Sequence, residues 1–156
     1  MEKKKFRDCI LPDEYWMALA FVAAAKSPKK HAALLTNDLG FIKISKDDEL
    51  ASSQKYDHHK YPEFEILSNC SVPITNCSVY LTYTPDYTGL SFLISAGIKK
   101  IIYFKTDNLC EESQDLIQTY RYVSVTPFTG NLNWIKDYLT VLEGSGIFVE
   151  SSHKSI

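Results

Sequence analysis

Residues 79–102 read VYLTYTPDYTGLSFLISAGIKKII, and this stretch decides the fold. Val79 to Thr84 is a run of β-branched and aromatic residues, which predicts a strand. Pro85 ends it, because proline has no N–H to give to a ladder. Leu90-Ser91-Phe92-Leu93-Ile94 is an apolar helical run, and Gly97 stops it. Lys99 to Phe104 then forms a second strand, so the unit predicts a right-handed β-α-β crossover. The turn inside it is Pro85-Asp86-Tyr87-Thr88-Gly89. Asp86 suits the N-cap of the following helix; the other reading is a repurposed site residue. Gly89 is read either as close packing or as a place where a ligand approaches the backbone.

Working outward, Pro12-Asp13-Glu14 opens a helix, with proline in its first turn and the acidic pair complementing its dipole. Trp16, Leu19, Ala20, Ala23 and Ala24 follow at helical spacing until Lys26-Ser27-Pro28 stops them. His31 to Thr36, a turn at Asn37 to Gly40, and Phe41 to Ser45 predict a β-hairpin. Residues 46–60 are polar and read as a surface loop. A short helix is expected over Pro62 to Asn69 and another over Glu111 to Tyr120. A fifth strand is expected over Arg121 to Val125. A last helix is expected over Leu132 to Leu142, with Trp134, Ile135, Tyr138, Leu139 and Leu142 on one stripe. The order α-β-β-α-β-α-β-α-β-α predicts an α/β fold: a three-layer α-β-α sandwich around a five-stranded mixed sheet. At 156 residues one domain is expected, over 1–143, with a tail at 144–156.

Composition narrows the function. A net charge of −2 gives no support for strong electrostatic binding to nucleic acid or an acidic membrane. The longest apolar run, Ala18 to Ala25, is too short to span a bilayer. Lys3-Lys4-Lys5 is followed by no apolar leader segment, so no signal peptide is expected. Cys9, Cys70, Cys77 and Cys110 form no C-x-x-C pair and imply neither a disulfide framework nor a zinc ribbon. The sequons at Asn69 and Asn76 are read as chance matches. A reduced, cytoplasmic protein is expected, with the nucleus as the other compartment.

Four segments, together with that element order, carry a family resemblance. They are Ala23 to Pro28 with Ala32 to Leu35, Tyr61 to Leu67, Val79 to Thr82, and Ser95 to Tyr103. Leu132-Asn133-Trp134-Ile135 adds a later match. The chain resembles the cytidine and dCMP deaminase family, nearest to the dCMP branch. That resemblance implies the fold just described. It also implies a zinc ion held by one ligand from a first motif and two thiolates from a P-C-x-x-C turn, with a nearby glutamate moving the proton. Zinc is what makes hydroxide available at neutral pH, by lowering the pKa of its bound water to about 7.

Carried over residue by residue, the first ligand becomes Tyr61 and the two thiolates become Asp86 and Gly89, while the proton-moving carboxylate is kept as Glu63. Glycine brings no donor atom. Tyrosine must ionise from about 10, and one aspartate makes a weak zinc site. A shifted register through Asp57-His58-His59-Lys60 would supply histidines, but it loses the following carboxylate and restores no thiolate. His58-His59 reads mainly as a solvated pair, and Cys70 and Cys77 as small, partly buried side chains. Zinc is therefore not expected, nor any other cofactor.

The expectation is a non-catalytic deaminase-like protein acting through assembly, as a homo-oligomer or as partner of another protein such as an active deaminase. The second reading is a nucleotide or single-stranded nucleic acid bound in the old pocket. That candidate pocket comprises Tyr61, Glu63, Tyr83, Pro85, Asp86 and Tyr87. Its tyrosines would stack on a base, or else simply pack. The third reading is an enzyme with an atypical site built on Asp86 and Glu63 as a carboxylate pair.

Overall fold

The structure, a computed structural model, describes residues 12–25, 27, 30–46, 61–68, 70 and 72–133. Its elements are α1 (Pro12–Ala24), β1 (Ala32–Asn37), β2 (Gly40–Lys46), α2 (Pro62–Glu65), β3 (Ser78–Leu81), α3 (Tyr87–Ser95), β4 (Lys100–Tyr103), α4 (Glu111–Thr119) and β5 (Ser124–Pro127). The five strands form one sheet in the order β2-β1-β3-β4-β5. β1 runs antiparallel to β2 and to β3, whereas β3, β4 and β5 are parallel. This is the expected mixed sheet.

Alternation along the strands sorts the core into two halves. Leu34, Tyr80 and Ile102 share one register row and pack with Met17, Ala18, Ala20 and Phe21 of α1. Leu35, Val79 and Ile101 form the next row and face the other way. They pack with Ile66 beside α2, with Leu90, Leu93 and Ile94 of α3, and with Leu116 and Ile117 of α4. Among the described residues, one helix therefore covers one face and three cover the other, giving three layers. Central strands buried on both faces read as continuous apolar runs, which is why Val79 to Leu81 and Ile101 to Tyr103 were legible.

Local chemistry fixes the joints. Asn37 Oδ1 accepts from the N–H groups of Leu39 and Gly40 at 2.8 and 3.1 Å, closing the hairpin turn. Gly97, at φ +91°, ends α3 in the left-handed region. Its N–H donates to the Ile94 carbonyl and that of Ile98 to Leu93, which together make a Schellman cap. The acidic pair of α1 does more than complement a dipole. Asp13 accepts from the Tyr80 hydroxyl at 2.6 Å and pairs with Lys100 Nζ at 3.3 Å. Burial, then the bond to Asp13, pushes the Tyr80 phenol well above its ordinary pKa. Glu14 accepts from the Asn131 N–H at 2.5 Å, tying the segment after β5 to α1.

Three boundaries differ most from expectation. β3 ends at Leu81 rather than at Thr84, because the chain already bends at Thr82 and Tyr83, ahead of Pro85. The last strand begins at Ser124 rather than Arg121. Arg121 and Tyr122 form the turn that leaves α4, and Tyr122 stays 71% exposed. Only Val123 of that stretch is buried, and pairing with β4 starts one residue later. α2 is also shorter than the expected 62–69 helix, with turn structure over 66–68. The 46–60 loop beyond Lys46, the His58-His59 pair, Lys3-Lys4-Lys5, Cys9, Asn69, the 132–142 helix beyond Asn133 and the 144–156 tail lie outside the described residues. Among the described residues, no helix is long and apolar enough to cross a membrane.

Candidate functional site

The sheet brings the starts of α2 and α3 together on one face. β2 anchors α2 at both ends. Ser45 Oγ donates to the Pro62 carbonyl at 2.8 Å. Lys43 Nζ donates to the carbonyls of Glu65 and Ser68 at 2.8 and 2.6 Å, placing positive charge where the last helical carbonyls need donors. That anchoring sets Glu63 inward, where it is 4% exposed.

Among the described residues, Glu63 meets Tyr83 and Gly89 there. The Tyr83 hydroxyl donates to Glu63 Oε2, so the phenol just beyond β3 reaches the carboxylate on α2. The carboxylate also lies over Gly89 in the first turn of α3. A Cβ at Gly89 would stand 2.5 Å from Glu63 Oε1 and 3.0 Å from its Cδ and Cγ. Any larger residue here would force the Glu63 side chain to shift, and the geometry supports the close-packing reading of Gly89. On the outer side, the His31 ring stacks on Tyr83 with centroids 4.1 Å apart.

Asp86 caps α3: its Oδ1 accepts from the Gly89 N–H at 2.7 Å, with extended backbone at φ −83°. Pro85 is buried beneath it, while Asp86 itself is exposed. Asp86→Ala should cost about 1 kcal/mol of stability, the usual worth of an N-cap. Urea denaturation measures it, and an unchanged midpoint would deny the cap its role.

Of the remaining candidates, Tyr61 and Tyr87 are 36% and 45% exposed. Tyr61 lies beside Phe64, centroids 6.4 Å apart, and Phe64 contacts Phe92 at 4.3 Å. The structure thus gathers Glu63, Tyr83, Asp86 and Gly89 around one turn and leaves Tyr61 and Tyr87 at its rim. Sequence reasoning missed His31, Phe64 and Phe92 as neighbours of the site. It also missed Thr82, whose buried hydroxyl accepts from the Ala32 N–H at 2.9 Å. A polar residue at the end of a buried strand was the available signal for Thr82; His31 carried none.

The residues at the three positions where the resemblance sets the ligands, Tyr61, Asp86 and Gly89, do not fit a zinc ion. Gly89 has no donor and its side-chain space is taken by Glu63. One oxygen of Asp86 is used on a backbone N–H. Tyr61 is a phenol. Among the described residues no group of three or more His, Cys, Asp or Glu side chains is placed to hold a metal. Cys77 is buried, and burial raises its thiol pKa, away from the thiolate a metal needs.

The sheet order, the three layers and this turn between β3 and α3 decide the architecture. The fold is the cytidine deaminase-like fold. A dCMP deaminase from the cyanophage S-TIM5 in apo form shares it at a TM-score of 0.56 and 17% identity, over 76% of this chain and 100% of that one. A tRNA:A34 deaminase studied for A-to-I editing at the wobble position shares it at 0.60 and 15%, over 73% and 97%. RibD from Acinetobacter baumannii shares it at 0.57 and 16%, but the match spans 74% of this chain and only 34% of that protein. No family model and no curated relative matches the sequence. In the cytidine deaminase-like fold, then, this chain carries a carboxylate–phenol pair over a glycine at the turn after β3.

Proposed function

We propose that this chain is a deaminase-like protein that has given up zinc-dependent deamination and acts through assembly, as a homo-oligomer or as the non-catalytic partner of another protein. The packing of the Glu63 carboxylate over Gly89 carries this reading. The position that would hold a thiolate has no side chain, and the carboxylate that would move a proton is bonded to Tyr83. Assembly is supported by the aromatic strip beside the turn, where Tyr61 and Phe92 are each 36% exposed and Phe64 lies between them. Large aromatic side chains at a protein surface are what association buries most profitably.

Three measurements on the purified full chain test this. Metal analysis should find far less than one zinc per chain. Incubation with dCMP or cytidine should release no ammonia above the uncatalysed background. Light scattering should find a species larger than one 17.8 kDa chain, or an affinity capture should recover a defined partner. Stoichiometric zinc together with ammonia release would overturn the proposal.

A second reading keeps the pocket as a nucleotide site. It is favoured by Tyr87, exposed in the first turn of α3 next to Asp86, which is also exposed. Stacking on one aromatic ring contributes about 1–3 kcal/mol per base. A thermal-shift panel of nucleotides and short single strands should then contain a clear hit. A flat response at millimolar dCMP, dCTP and dTTP would exclude it.

A further inference from the structure

Glu63, Tyr83 and Gly89 belong to three different elements: α2, the segment just after β3, and α3. In the zinc proteins this chain resembles, metal ligands come from the start of the second helix and the start of the third. The metal there does more than chemistry, because it cross-links those two helix starts. We propose that the Glu63–Tyr83 pair seated over Gly89 is a metal-free clasp that takes over this cross-link, holding α2 against α3.

The need for such a tie follows from α2 itself. It has four residues, and a helix of one turn has no stability of its own in water. On one side it is held by Ser45 and Lys43 from β2. On the other side it is held by the clasp, by the Phe64–Phe92 ring pair and by Ile66, which packs among the buried residues of α3. The clasp lies in the interior: Glu63 is 4% exposed and Tyr83 6%. A carboxylate there requires donors, and the low dielectric strengthens the bond it receives. Gly89 makes room for the carboxylate, and the Asp86 cap holds the Gly89 backbone in place beneath it. Every part of the turn that departs from the zinc pattern therefore serves one contact.

This inference rests on the zinc-free reading above, and one experiment separates the two. Thermal unfolding midpoints are measured for the full chain and for Tyr83→Phe, Glu63→Leu and the double variant, each with and without EDTA. Tyr83→Phe removes one oxygen and should lower the melting temperature on the order of 3–6 °C, the worth of a charged buried bond in a chain of this size. In the Glu63→Leu background the same change should cost clearly less, since the bond to this acceptor is already gone. Backbone amides of residues 64–66 should exchange faster in Tyr83→Phe, at least several-fold. EDTA should move no midpoint. Additive effects of the two substitutions with no response to EDTA would overturn the clasp alone. A midpoint that falls in EDTA would overturn both the clasp and the zinc-free reading. Should Glu63→Leu fail to fold, amide exchange in Tyr83→Phe still decides: unchanged protection of 64–66 overturns the clasp.

Discussion

Gly89→Ala is expected to cost about 2–4 kcal/mol of stability, although alanine is the better helix former by up to about 1 kcal/mol. The new methyl would stand 2.5 Å from Glu63 Oε1, closer than a Cβ contact can be, so the carboxylate must leave. Its bond from Tyr83 then breaks inside the protein, and the phenol loses that acceptor. Expulsion of a buried side chain and loss of a buried bond outweigh the propensity gain. Urea denaturation of the variant measures the loss. Shortening the obstructing side chain gives the control: Glu63→Ala with Gly89→Ala should be no less stable than Glu63→Ala alone. If Gly89→Ala proves neutral or stabilising, the carboxylate does not occupy this space.

Leu93→Ala should cost about 3–5 kcal/mol and reduce the melting temperature by on the order of 10 °C. Leu93 is fully buried on the inner side of α3 and packs with Leu90, Ile98 and Ile101. Deleting its isobutyl group leaves a cavity between α3 and the close-packed sheet beneath it. One residue earlier, Phe92 is 36% exposed. Phe92→Ala should cost only about 1 kcal/mol of stability but weaken assembly at least tenfold if the aromatic strip is the interface. Sedimentation of the two variants separates the effects. Intact assembly in Phe92→Ala would place the contact elsewhere.

The β-α-β unit was legible because both of its periodicities are local. Val79 to Leu81 and Ile101 to Tyr103 are apolar throughout because both faces of those strands are covered. Pro85, Asp86 and Gly97 punctuate the unit for backbone reasons that do not depend on the rest of the chain. The last strand was less legible. Arg121 and Tyr122 carry strand-like character, yet the pairing partner of β4 is decided by how far the turn after α4 must travel to reach the sheet. The acidic start of α1 was read correctly as a helix opening, but its bonds to Tyr80, Lys100 and Asn131 join residues 67, 87 and 117 positions apart. No local pattern encodes such contacts.

The site divides the same way. By itself the sequence showed that the turn after β3 lacks thiolates and that Asp86 suits a helix cap, while the resemblance set Glu63 at the family's carboxylate position. These are statements about which atoms a residue owns and about short-range backbone preference. Only the tertiary structure decided that the Glu63 carboxylate lies over Gly89, and that Tyr83 bonds it. Those facts depend on three segments meeting, 20 residues apart for Glu63 and Tyr83. Packing in a dense interior is settled by the shape that remains once every neighbour is placed, and a linear pattern does not contain that shape.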